Sequence, residues 1–137
     1  MWWIYALLSA LFAALTAIFA KIGIKDVDTD LATAVRTVVV LILAWAVAFF
    51  RGGTGSIMTL TKQNVIFLVF SGVATGLSWI FYFKALQLGK ISQVAPIDKL
   101  SVALAIIFSV LFLGETLTLK TAVGAICIIA GTIIIIL

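Results

Sequence analysis

The chain has 137 residues, 65% apolar and 10% charged, with nine Lys or Arg against five Asp or Glu and a formal net charge of +4. A soluble domain carries roughly 45–50% apolar and about 25% charged residues, so a soluble globular fold is excluded. The basic residues are scattered and not interleaved with aromatics, which argues against nucleic acid as a partner. With no histidine and one cysteine, Cys127, the usual transition-metal sites, Cys/His nucleophiles and an internal disulfide are also excluded.

Five apolar runs follow one another, Trp2–Ala20, Leu31–Phe50, Val65–Phe83, Ala95–Leu113 and Thr121–Leu137, each 17–20 residues long. At ~1.5 Å per residue such runs match a hydrocarbon core about 30 Å thick. The expected fold is an all-α integral membrane protein, with five transmembrane helices at about 2–22, 31–50, 65–88, 95–113 and 120–137. No alternating strand pattern of a membrane barrel is present.

The first run lacks a basic n-region and exceeds the 7–15 residues of a signal-peptide core, so it reads as a retained span. Lys21 to Asp30 links it to the second, where Thr29 or Asp30 is the expected helix cap. Arg51 to Asn64 is the longest connection, broken by Gly52, Gly53 and Gly55, with Asn64 as the expected cap of the third helix. Gly89 to Val94 leads to the fourth, where Pro96 suits the first helical position because its missing N–H is harmless there. Gly114 to Lys120 is a tight turn, with Glu115 expected to cap the fifth helix. Five crossings put the two chain ends on opposite sides of the bilayer. One side then holds Arg51, Lys62 and Lys120, the other Lys21, Lys25 and Lys90, with Arg36, Lys84 and Lys99 lying deeper. Three loop cations against three leave the positive-inside rule weakly decisive and both orientations open.

Small and polar residues recur at helical spacing. Ser9, Ala13, Thr16 and Ala20 share a face of the first span. Ser71, Thr75, Ser78 and Tyr82 share one of the third, beside a Gly72/Gly76 step. Asp98, Ser101, Ala105 and Ser109 line the fourth, and Gly124 and Gly131 stand two turns apart in the fifth. Such stripes serve close helix packing in lipid, or line a polar cavity enclosed by spans one, three and four. Charges inside spans are expensive, about 2.5–3.5 kcal/mol at a helix centre. Arg36, roughly 9 Å into the second helix, either snorkels to the interface or pairs across the bundle. Asp98 either caps the first turn of the fourth helix, where the dipole favours a carboxylate, or acts as counter-ion to Arg36 or Lys84 or as a titratable coupling group. Trp2, Trp3 and Tyr5 form an interfacial belt. Trp79 and Tyr82 belong to a second belt or contact a substrate through stacking or cation–π interaction. The serines have neither a nucleophile elbow nor a paired base, so no enzyme activity, cofactor or metal is expected.

Trp79 to Leu137 contains Tyr82-Phe83-Lys84-Ala85-Leu86, then Val94-Ala95-Pro96-Ile97-Asp98-Lys99-Leu100-Ser101, then Leu113-Gly114-Glu115 and a glycine-punctuated last span. This order resembles an EamA-type domain of the drug/metabolite transporter superfamily, and Lys21 and Arg36 in the first two spans fit the same domain. The resemblance implies a single domain over residues 1–137, half of an inverted-repeat ten-helix transporter of the plasma (inner) membrane. The positions that match are Lys84, Pro96, Asp98 and Glu115. A five-span unit repeated in one chain enters the membrane inverted, so one unit rebuilds the arrangement as an antiparallel homodimer of dual topology.

The expected function is secondary transport of small metabolites or drug-like solutes by alternating access. The expected cavity residues are Ser9, Thr16, Arg36, Ser71, Thr75, Ser78, Trp79, Tyr82, Lys84, Asp98 and Ser101. Pro96, Glu115, Gly72, Gly76, Gly124 and Gly131 are expected to be structural. The in-span cations suggest an anionic or zwitterionic solute. The competing expectations are a lipid-linked sugar flippase and a non-transporting scaffold or regulatory subunit.

Overall fold

The computed structural model describes residues 1–137 and is all helical. Helix α1 spans Trp2–Gly23, α2 Thr29–Phe50, α3 Lys62–Leu88, α4 Ile91–Asp98, α5 Leu100–Leu113 and α6 Leu119–Ile136, with a 3-10 helix at Gly53–Thr59. Five stretches are long and apolar enough to cross a membrane: α1, α2, α3, α4 with α5 as one span of 23 residues, and α6. Their most apolar windows are only 0–6% buried. Nearly all of this apolar surface therefore faces outward, which lipid or another membrane protein must cover.

Local chemistry sets the helix ends, at other residues than expected. Asp28, not Thr29 or Asp30, caps α2: its Oδ1 accepts from the N–H of Asp30 at 3.0 Å and of Leu31 at 2.9 Å. Asp28 has the extended backbone a cap requires, whereas Thr29 and Asp30 are already helical. Thr61, not Asn64, caps α3, with its Oγ1 accepting from the Asn64 N–H at 3.2 Å. Thr118, not Glu115, caps α6 and accepts from the Thr121 N–H at 3.2 Å. At 27 residues α3 is the longest helix, roughly 40 Å, so it tilts or reaches into the headgroups.

The fourth span is also corrected. It begins at Ile91 and not near Ala95, so Pro96 lies inside α4 and Asp98 ends that helix instead of standing in a first turn. Lys90 is extended and starts the helix, and five residues complete its first turn before the proline. Pro96 removes only the N–H that would bond the Ser92 carbonyl. The helix then breaks at Lys99, whose N–H is shared between the carbonyls of Ala95 at 3.3 Å and Pro96 at 3.1 Å.

The chain forms two compact units, Met1–Ile18 with Leu88–Leu137, and Phe19–Gln87. In the first, α4, α5 and α6 pack together, with Ala17, Ala103 and Thr132 buried. Thr132 Oγ1 donates to the Ile128 carbonyl of its own helix at 2.8 Å and lies 3.2 Å from the Pro96 carbonyl, so α6 is tied to the proline turn of the fourth span. In the second unit the buried residues are Ile24, Thr29, Thr33, Phe83 and Leu86, at the α1–α2 connection and the last turns of α3. The buried Thr33 hydroxyl donates to the Thr29 carbonyl at 2.8 Å, which satisfies it within its own helix.

Candidate functional site

The chemistry-bearing groups of the Phe19–Gln87 unit gather around the last turns of α3. Trp79, Phe83 and Gln87 recur every four residues and so lie on one face of that helix. Arg36, two turns into α2, places its guanidinium 4.2 Å from the Trp79 ring centroid and 5.1 Å from that of Phe83. Tyr82 lies within electrostatic reach of the same group. The one ion pair in the chain joins Asp98 to Lys99, so Arg36 is held by aromatic faces and not by a carboxylate. Acid pairing, one of the two sequence readings of Arg36, gives way to this cation–π arrangement. Guanidinium suits it, being planar and weakly hydrated.

One turn further on, α3 is fastened to the α1–α2 connection. The Lys21 ammonium donates to the Leu86 carbonyl. The Gln87 amide donates to the carbonyls of Val27 at 2.9 Å and Ile24 at 3.3 Å. Leu86 belongs to the last turn of α3, whose carbonyls have no partners within the helix and carry the negative end of its dipole. A lysine there neutralises that end, and Leu86 itself is fully buried. The result is a corner held by side chain–carbonyl hydrogen bonds, one turn beyond the Arg36–Trp79 contact.

Of the expected cavity residues, Arg36, Trp79 and Tyr82 are brought together here. Ser71, Thr75, Ser78 and Lys84 share the unit but are exposed, and the Thr75 hydroxyl bonds the Ser71 carbonyl of its own helix at 2.8 Å. In the other unit Ser9 and Ser101 are exposed and Thr16 is half-buried. Asp98, half-buried, lies 3.3 Å from the Lys99 ammonium, so its ion pair is with its neighbour and not with Arg36 or Lys84. A Cβ added at Gly72, Gly76, Gly124 or Gly131 meets nothing within 4 Å, so these small-residue faces stay open in the single chain.

Phe83, Lys21, Gln87 and Thr132 were not among the expected site residues. The four-residue period from Trp79 through Phe83 to Gln87 is the signal that finds two of them. Lys21 and Thr132 bond carbonyls distant in sequence, which no local spacing reveals.

The fold and this cation-bearing corner define a polytopic helical membrane protein with chemistry inside its spans. The EamA-like transporter family matches residues 1–137, and the chain belongs to that family, within the drug/metabolite transporter superfamily. It is 47% identical over 133 residues to an uncharacterised transporter in the cobO 3' region of a Sinorhizobium species, covering 97% of this chain and 94% of the relative. It is 34% identical over 76 residues to an uncharacterised protein of Methanocaldococcus jannaschii, covering 55% and 56% of the two chains. It is 30% identical over 125 residues to human solute carrier family 35 member G1, covering 91% of this chain but 34% of the human protein. No solved structure matches.

Proposed function

We propose that this chain is a secondary transporter of small metabolites or drug-like solutes, working by alternating access as an antiparallel homodimer in a plasma (inner) membrane. Membership of the EamA-like family supports transport. The Sinorhizobium relative, whose name calls it a transporter, is matched over 94% of its length by 133 residues, so that name rests on a chain about one five-span unit long. The human solute carrier is long enough to hold more than one such unit. An odd number of spans inverts each following unit, so two separate units reproduce a tandem only when they insert in opposite directions.

The observation that carries the assignment of a site is the Arg36 guanidinium, inside a span and stacked on Trp79 and Phe83 without a carboxylate. A cation there attracts an anionic or zwitterionic solute, and Trp79 and Tyr82 offer faces to an apolar or aromatic part. Ser9, Thr16, Ser71, Thr75, Ser78, Lys84, Asp98 and Ser101 complete the proposed path.

The test is purified protein in liposomes, screened for solute uptake or counterflow under proton and sodium gradients. It is paired with C-terminal reporter fusions and cysteine labelling of the loops in a Cys127→Ala background. Uptake that Arg36→Gln abolishes, with C-termini on both sides, is expected. One orientation for every copy overturns the antiparallel arrangement. No movement under any gradient, together with stoichiometric co-purification of another membrane protein, overturns transport in favour of a scaffold.

A further inference from the structure

The second half of α2 carries a feature remote in sequence from the Arg36 corner. Leu41, Ala44, Trp45 and Ala48 recur at intervals of three and four and share one helix face. Gly52, left-handed at φ 72°, turns the chain so that the 3-10 helix folds back on that face. At Gly53 an added Cβ would stand 3.4 Å from the Ala48 carbonyl oxygen, so the two backbones nearly touch. Beside this contact lies a groove of about 300 Å³, walled by the α2 face and by Thr54 and Ile57. Leu41 stands nine residues before the helix end at Phe50, so the groove descends ~14 Å, about the depth of one leaflet's hydrocarbon.

Charge decides what fills it. Arg51 and Lys62 stand at either end of the 3-10 connection, exposed and in no ion pair. No acidic residue occurs from Leu31 to Ile97. A second copy of the chain meets these cations with a net basic side in either orientation, its densest acidic stretch, Asp26 to Asp30, being flanked by Lys21 and Lys25. Its Arg51 side carries Lys62 and Lys120 against Glu115. Its other side carries Lys21, Lys25, Arg36, Lys84, Lys90 and Lys99 against four aspartates, so both sides are net basic. A molecule with an apolar tail and an anionic head supplies both requirements at once.

We infer that this groove seats one acyl chain of an anionic phospholipid, whose phosphate is held at the membrane surface by Arg51 and Lys62. The site lies on the α2 face and is independent of the transport reading. Each surface cation raises affinity for anionic lipid about fivefold, so the pair gives a preference of roughly 25-fold.

The full chain in nanodiscs of equal phosphatidylglycerol and phosphatidylcholine, with matched acyl chains, is released into native mass spectrometry and its retained lipids are counted. Both disc faces are accessible, so insertion orientation does not enter. Retained phosphatidylglycerol is expected to exceed phosphatidylcholine by about that factor. Arg51→Gln with Lys62→Gln should equalise the two lipids. Ala48→Trp, or the milder Ala44→Leu if the first fails to fold, should remove the retained lipid at unchanged helical circular dichroism. Equal retention by the parent chain overturns the inference, as does a lipid count that neither filling variant moves. A filler that changes the oligomer mass while the lipid count stays constant assigns the groove to a second copy and overturns it equally.

Discussion

Arg36 shows how one residue's surroundings change what its charge means. An arginine in a span is expensive until something replaces its hydration, and two aromatic faces at 4.2 and 5.1 Å do so without neutralising it. The arrangement stabilises the α2–α3 contact and leaves a net positive charge inside the span. Arg36→Gln and Trp79→Ala should each lower unfolding free energy in detergent by about 1–2 kcal/mol, the range of a desolvated cation–π contact. The double variant should lose less than the sum, because both remove one interaction. Strict additivity in that double-mutant cycle would sink the stacking account. Arg36→Lys keeps the charge but not the planar face, and should recover only part of the loss. The sequence alone places Arg36, Trp79 and Tyr82 inside spans. Their mutual contact is not legible there, since α2 and α3 are joined through a long connection whose path no spacing encodes.

Among the elements, the fourth span is the least regular, and the reason is local. Pro96 sits deep enough in α4 to interrupt the helix at Lys99, and the buried Thr132 hydroxyl accompanies the Pro96 carbonyl at the break. That carbonyl already accepts from the Lys99 N–H at 3.1 Å, and the Thr132 hydroxyl, 3.2 Å away, adds a polar neighbour where lipid offers no water. Thr132→Val keeps the volume and removes the hydroxyl. It should lower stability by about 0.6–1 kcal/mol and speed amide exchange at Lys99 and Leu100, read by mass spectrometry of protein in nanodiscs. Unchanged exchange at those amides would show that the break holds itself. The start of α2 offers a cleaner case: Asp28→Ala removes a carboxylate that accepts from two backbone N–H groups. A loss of about 1 kcal/mol in thermal unfolding is expected, whereas Asp30→Ala should cost less. Cap identity was only partly legible, because Asp28, Thr29 and Asp30 are all chemically able to cap. The backbone selects the one residue that is extended.

At the scale of the whole molecule, the loop cations are spread evenly over the two sides. Arg51, Lys62 and Lys120 on one side face Lys21, Lys25 and Lys90 on the other. Removing two of them with Arg51→Gln and Lys62→Gln should fix the Lys21 side in the cytoplasm for nearly every copy, seen with C-terminal reporter fusions. Mixed orientation surviving that change would mean that something other than loop charge sets insertion. If the homodimer is antiparallel, the same variant should also lose transport, because a single orientation cannot supply both halves.

The sequence by itself determined the membrane class, the five spans, the all-helical architecture and the family. Each of these rests on composition, run length or residues close together in the chain, where backbone hydrogen bonding in lipid leaves few alternatives. The tertiary structure decided which of the competing polar and charged residues meet. It put Arg36 on Trp79 and Phe83, Lys21 on the last turn of α3, Thr132 on the proline turn, and the 3-10 helix against α2. Those contacts join residues from five to 65 positions apart through connections whose path no spacing encodes. Only packing in three dimensions chooses among them.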